Sequence, residues 1–175
     1  MRSWLACLAA LLLAACAGVH DASDAAQVLG PPLQRFVAEG RISLRQGEHR
    51  DHLRFRWEHA PESDGVLLMS PLGQGLAELT RDAAGARLVQ PGQTTISADT
   101  LAQLAQRVLG APLPLEAMAD WLRGARPALS GDVDGWRVVI SDTSAFRQSR
   151  LLRVLEARRE DAEFKLIVDD WDVPE

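Results

Sequence analysis

From Phe36 onward apolar and polar residues alternate with period two, and that feature restricts the fold to antiparallel sheet. Phe36, Ala38, Gly40, Ile42 and Leu44 share one face, while Glu39, Arg41, Ser43 and Arg45 share the other. A polar turn, Gln46 to Asp51, leads into Leu53, Phe55 and Trp57, alternating with Arg54, Arg56 and Glu58. Two alternations joined by a short polar loop read as a hairpin with one buried face. Gly65–Ser70, Gly75–Arg81, Arg87–Val89 and Thr94–Ile96 continue the strand series, bounded by Gly, Pro or Asp. Trp136–Ser141, Leu152–Arg158 and Phe164–Trp171 resume it after two amphipathic segments. In the first, Ser97 is placed to cap a helix carrying Leu101, Leu104, Ala105 and Val108, with Gly110 as its stop. In the second, Pro114 opens a short helix containing Leu115, Met118, Trp121 and Leu122, closed by Gly124. Strands, two helices, then strands predict an α+β fold, a curved antiparallel sheet with helices on one side. Such a sheet either encloses an apolar cavity under the helices or packs solid. Periodicity reports burial and leaves both open.

The first residues have a different layout. Arg2 supplies a positive start, Trp4 to Leu13 is uninterrupted apolar sequence, and small residues precede Cys16. That is the three-part pattern of a secretory signal. The apolar run to Val19 is 16 residues, short of the roughly 20 that a bilayer span requires. Leu13-Ala14-Ala15-Cys16 resembles the bacterial lipobox, in which the peptidase cuts before a diacylglyceryl cysteine. Residues 1–15 are then a lipoprotein signal peptide, and residues 16–33 a lipidated N-terminus and tether. Residues 34–175 form the folded domain. The covalent lipid on Cys16, diacylglyceryl and N-acyl, would anchor the chain to a membrane without spanning it. Ala17, where the sorting rule of enteric bacteria would need aspartate for inner-membrane retention, implies the outer membrane. As a coil, the 17 residues from 17 to 33 would span about 23 Å root-mean-square.

Charge and composition exclude several classes of function. Arg2 is the one charged residue of the leader, so the remaining chain carries 18 basic and 24 acidic side chains. That net of −6 argues against nucleic acid. Lys165 is the sole lysine and has no glycine-rich loop before it, so no phosphate-binding loop exists. Cys7 falls in the leader, which leaves no thiol for a disulfide, a thiolate metal site or a nucleophile. His49, His52 and His59 lack metal-ligand spacing and are expected as surface histidines. No Gly-x-Ser-x-Gly elbow is present. No catalytic residue, metal site or cofactor is expected. Asp169, Asp170 and Asp172 read as a solvated strand end. Arg147, Arg150, Arg153, Arg158 and Arg159 read as a solvated strand face, with an acidic partner or lipid headgroups as the alternative.

An ordered set of motifs resembles the LolB family, outer-membrane receptors of the lipoprotein-localisation (Lol) pathway. It comprises Phe36-Val37-Ala38-Glu39-Gly40-Arg41-Ile42-Ser43, Phe55-Arg56-Trp57, Leu67-Leu68-Met69-Ser70-Pro71-Leu72-Gly73 and Ser97-Ala98-Asp99. Leu109-Gly110-Ala111-Pro112-Leu113-Pro114-Leu115, Trp121-Leu122-Arg123-Gly124, Trp136-Arg137-Val138-Val139 and Ile167-Val168-Asp169-Asp170-Trp171 complete it. The resemblance implies an incomplete antiparallel β-barrel closed by a helical lid over an apolar cavity. It implies receipt of acylated lipoproteins from a soluble LolA-type periplasmic carrier and their release into outer-membrane lipid. No nucleotide or metal enters that step, and the protein acts as a monomer. Pro71, Leu72 and Gly73 match the family's protruding membrane-insertion loop, with Leu72 as its exposed leucine. Ile42, Phe55, Trp57, Met118, Trp121 and Trp136 are expected to line the acyl cavity. The chain departs from the family in two respects. Eleven residues, Ala125 to Gly135, stand where a longer segment is usual, so one barrel edge is expected to be shorter; and there is no tyrosine. A structural or assembly lipoprotein with a packed core is the second reading. A periplasmic enzyme acting on lipid is the third, disfavoured by the missing nucleophile.

Overall fold

A computed structural model of the chain describes residues 31–109, 113–126, 128–147 and 149–174. The leader, Cys16, most of the tether and the expected helix stop Gly110 lie outside the described residues.

The alternating segment forms strands β1 (Phe36–Gln46) and β2 (His49–Ala60), paired antiparallel from Phe36↔His59 to Gln46↔His49. Their turn is two residues, Gly47-Glu48, and tighter than the expected Gln46–Asp51. Gly47 takes φ +58°, the positive φ that a type II′ turn requires at its first central position. Pairing therefore persists to the hairpin tip. Strands β3 (Ser63–Met69), β4 (Gly75–Asp82), β5 (Gly85–Val89) and β6 (Ile96–Ala98) follow. Two helices come next, α1 (Leu101–Leu109) and α2 (Leu115–Leu122). Strands β7 (Ser130–Val133), β8 (Trp136–Phe146), β9 (Ser149–Arg159) and β10 (Ala162–Asp172) end the chain.

All ten strands make one antiparallel sheet in the order β6-β5-β4-β3-β2-β1-β10-β9-β8-β7. The last strand pairs with the first, Ala38↔Trp171 through Gln46↔Ala162. Strands β6 and β7, consecutive in the chain, are its two opposite edges, so the sheet is curved but open. The helices carry the chain from one edge to the other. Register shifts at Glu39/Gly40, Leu68/Met69 and twice around Asp142 are bulges of the kind that bend strands. At the first of these, Gly40 has no alternative residue. A Cβ there would lie 1.9 Å from the Ile167 carbonyl oxygen and 3.0 Å from the Phe55 ring.

Sequence and structure differ at three boundaries. Ser97 lies within β6 and does not cap α1. The Oγ1 of Thr100 accepts the Gln103 amide at 3.1 Å instead, while Arg107 donates back to the Ser97 carbonyl. Strand β6 also begins two residues later than Thr94. Strand β7, hidden in Ala125–Gly135, is a four-residue edge held by Ser130↔Val139 to Val133↔Trp136.

Two clusters of buried side chains occupy the helix-bearing face. In the larger, Met118, Trp121 and Leu122 of α2 meet Phe36, Ala38, Phe55, Trp136, Leu152, Leu155 and Leu166. In the smaller, Leu101 and Leu104 of α1 pack on Ala86 and Leu88 of β5. Leu79 and Leu115 touch both clusters. Each helix thus roofs a different sector of the sheet, and a seam runs between them.

Candidate functional site

The seam is where an apolar recess opens, with a volume of about 240 Å³. Ile42 and Leu44 of β1, Leu53 and Trp57 of β2, and inward residues of β3 to β5 supply its floor. Leu101 and Leu104 of α1, with Leu113 and Leu115 at the start of α2, supply its roof, and Phe164 and Leu166 of β10 its flank. Among the lining residues Gln90 alone is polar. The recess follows from the inward parity of the strands: the same alternation that builds the core continues past the reach of α2. Its volume lies just under the ~300–1,000 Å³ usual for ligand pockets.

Of the six residues expected to line a cavity, Ile42 and Trp57 do so. Phe55, Met118, Trp121 and Trp136 are in the packed cluster instead. Each has a local reason. The Phe55 ring covers Gly40, whose missing side chain leaves it room. Trp121 lies against Gly131 of β7 and donates its indole N–H to the Ala128 carbonyl at 2.9 Å. Met118 is fully buried beside it on α2, and Trp136 opposes Val133 where β8 meets the edge strand. Leu44 and Leu53, which periodicity placed on the buried face, are among the lining residues that sequence reasoning did not single out.

One end of the recess abuts a polar cluster. Asp64 of β3 is buried, 4% exposed, and is the charged side chain that is so among the described residues. Its carboxylate accepts the indole N–H of Trp57 at 2.9 Å, Nδ1 of His59 at 2.8 Å and Nε of Arg81 at 2.8 Å. Burial on its own would raise the Asp64 pKa. The hydrogen bonds from His59, Trp57 and Arg81 outweigh it and hold the carboxyl below its ordinary value. His59, expected on the surface, is buried as Asp64's partner and stacks on Phe36 at 5.0 Å between ring centroids. A sequence signal existed: His59, Asp64 and Arg81 fall at inward positions of β2, β3 and β4, where apolar residues should stand. His49 and His52 are exposed at the start of β2. Among the described residues no group of three or more His, Cys, Asp or Glu could hold a metal.

The loop between β3 and β4 has a rigid build. The Gly73 amide donates to the Ser70 carbonyl at 2.9 Å and the Ser70 amide to the Gln74 carbonyl at 2.8 Å. The Gln74 amide also reaches the Ser70 hydroxyl at 3.2 Å. Pro71 follows Ser70 in this turn, and Gly73 takes φ +86°, so the chain is directed by residues suited to a tight turn. The result is that Leu72 points into solvent, 97% exposed. Pro71, Leu72 and Gly73 are thus together at the loop tip, remote from Trp121 and Trp136 in the core.

The remaining charged groups are mostly paired. Asp169 accepts Arg41 through both oxygens at 2.9 and 2.8 Å, while Asp170 and Asp172 are exposed. Arg153 lies 3.4 Å from Asp142, Arg158 lies 3.8 Å from Glu163, and Arg150 donates to the Thr143 hydroxyl. Three of the five arginines of this stretch thus have partners on the sheet itself. No helix among the described residues is long and apolar enough to cross a membrane.

Comparison with known proteins converges. The family model described as outer membrane lipoprotein LolB matches residues 34–171. The outer-membrane lipoprotein LolB of Nitrosomonas europaea is 34% identical, covering 97% of this chain and 92% of that protein. The protein of the same description from Azoarcus sp. is 33% identical over 97% of this chain and 94% of its own length. Among solved structures, a LolA superfamily protein from Nitrosomonas europaea superposes with TM-score 0.54 at 10% identity, covering 87% of this chain and 91% of that one. A DUF1329 family protein from Desulfovibrio piger superposes with TM-score 0.56, also at 10% identity. At that identity the two structures speak for the fold alone.

Proposed function

The chain belongs to the LolB family, outer-membrane lipoproteins of the Lol transport pathway and not enzymes, and we propose that it is the acceptor and inserter of that pathway. In this reading it takes lipoproteins from a LolA-type carrier, holds their acyl chains in the recess under α1 and α2, and releases them into the outer membrane. The observation that carries the reading is the recess itself, roofed by helices and lined by apolar side chains except for Gln90. A dry surface of this kind offers nothing to a polar substrate and gains by receiving hydrocarbon, ~25 cal/mol per Å² removed from water. Because its volume falls short of an ordinary ligand pocket, an acyl chain enters by parting the seam between the two side-chain clusters. The helices then act as the lid.

Two further assignments belong to the proposal. Cys16 carries the diacylglyceryl and N-acyl lipid that anchors the protein, and residues 17–33 are its tether. Leu72, held outward by the Ser70–Gln74 turn, enters the bilayer interface during release.

The test is binding of a fluorescent fatty-acyl probe by the purified protein, followed by calorimetry. Saturable binding with a negative heat-capacity change, competed by acylated peptide, is expected. A folded protein that shows no saturable binding would mean that the core is solid, as in a structural lipoprotein.

A further inference from the structure

On the outer face of the sheet, beside the Leu72 loop, the β1–β2 register sets arginine against arginine. Arg41 lies directly opposite Arg54, and Arg45 directly opposite Arg50, with Ser43↔His52 between them. Like charges directly opposed across strands are destabilising. Acidic partners on β10 relieve the β1 member of each pair: Asp169 binds Arg41, and Glu163 binds Arg45. Arg54 has no hydrogen-bond or ion-pair partner among the described residues and is exposed. Arg41 and Arg54 border a groove of about 420 Å³ that His52, Lys165, Ile167 and Pro71 also line. Pro71 is the chain neighbour of Leu72. Lys165 is paired with Glu156 at 2.8 Å and Arg41 with Asp169, which leaves Arg54 as the groove's arginine without a counter-charge among the described residues.

We propose that this groove binds the headgroup phosphate of anionic phospholipid. The proposal rests on the reading that Leu72 enters the bilayer. The headgroup layer on each side of a bilayer is only ~5–8 Å deep. When the Leu72 side chain crosses it, the groove flanking Pro71 comes level with the phosphates. Arginine suits that position, since its planar fork donates to two phosphate oxygens at once. A phosphate between Arg41 and Arg54 would also offset the repulsion that the register builds in. Ile167, which shares the outer face with these cations, would lie against the glycerol end of the lipid.

The full lipidated chain, reconstituted in vesicles and labelled at Gln74→Cys with an environment-sensitive fluorophore, reports immersion of the loop. The mature chain has no other free thiol once Cys16 is acylated, so the label is unique. Adding phosphatidylglycerol to phosphatidylethanolamine vesicles is expected to raise the immersed fraction, and high salt to abolish the increase. Arg54→Gln should cut that increase about fivefold, the effect of one cation near an anionic surface. It should leave the signal in pure phosphatidylethanolamine and the melting temperature unchanged, and Arg54→Lys should restore most of the increase. No response of the wild type to phosphatidylglycerol, or an equal response in Arg54→Gln, would overturn the proposal. So would an Arg54→Gln protein that responds normally to lipid but accepts cargo slowly from the carrier, which would assign the groove to an acidic protein surface. Leu72→Glu is the control for the underlying reading. It should lose immersion in both lipids, and retention of immersion would reject the loop's membrane role while the phosphatidylglycerol comparison still judged the groove.

Discussion

On the proposed reading, Leu72 is where a single side chain carries the most consequence at the least structural expense. It contributes nothing to the core, so Leu72→Glu should shift stability by less than ~0.5 kcal/mol. In the bilayer interface the same leucine gains up to ~1.5–3 kcal/mol on leaving water, and a glutamate reverses that gain. The expected outcome is a folded protein that accepts cargo from the carrier normally and delivers it into membranes slowly, with Leu72→Ile near wild type. Receipt and delivery measured separately decide it, and equal loss of both would reduce Leu72 to a packing residue. Asp64 is the opposite case, a residue whose work is internal. Its folded pKa is depressed, so its contribution is complete above the ordinary value of 3.8 and drains away as pH falls through the folded value. Thermal melts from neutral pH into acid should therefore show a loss below about pH 4 that Asp64→Asn lacks. At neutral pH the variant should be less stable by roughly 1–3 kcal/mol, toward the lower end because Arg81 still reaches water. Trp57 fluorescence should report the released indole. Within Pro-Glu-Ser-Asp-Gly, only its parity with Val66 marks Asp64 as inward. Its three donors come from the two strands that flank β3, Trp57 and His59 from β2 and Arg81 from β4, and that convergence exists only once the sheet is paired.

Among the elements, the β1–β2 hairpin was the most legible, because Phe36 to Leu44 and Leu53 to Trp57 alternate apolar with polar without a break. Strand β7 was the least legible, since Ser130-Gly131-Asp132-Val133 carries a single large apolar side chain and is made a strand by Trp136–Val139 beside it. Legibility also failed between residues on the same face. Phe55 and Trp57 have identical parity, yet Gly40 draws Phe55 into close packing while Trp57 remains at the recess. The helices differ in the same manner. Nine-residue α1 is too short to hold itself together in water and is secured by the small cluster around Leu88 and Leu104. Eight-residue α2 shares the main core. Amide exchange should therefore find α1 opening well before α2 and the central strands, by sub-global fluctuation. Equal protection of both helices at the global limit would argue that the roof is rigid, and with it against entry through the seam.

For the whole molecule, the antiparallel, helix-covered architecture could be read from the order of periodic segments, whereas the closing of β10 on β1 and the openness at β6 and β7 could not, because both are set by pairing between distant residues. Sheet order also fixes where the chain comes in. Leu33 is tied by its amide to the Arg123 carbonyl at 2.6 Å, and β1 starts at that end of the strands, level with the β2–β3 turn. The Leu72 loop departs from Met69, opposite Arg54 and so level with Arg41, five residues farther along β1. That offset is ~17 Å at ~3.4 Å per residue. The loop's own three residues add up to ~10 Å. On the proposed reading a lipid on Cys16 and a leucine at position 72 meet the same leaflet, and the 17 links from Cys16 to Leu33 would then act as a leash whose length selects the posture of the domain. Relaxed, such a leash spans ~21–25 Å, close to the distance it has to cover; taut, it reaches ~60 Å. Such a leash would let the domain swing between standing away from the bilayer to meet a carrier and lying down to deliver. Removing eight residues of the leash caps its reach near ~30 Å. Cargo receipt should survive that deletion while delivery falls, and a flexible insertion of the same length should restore it whatever its sequence.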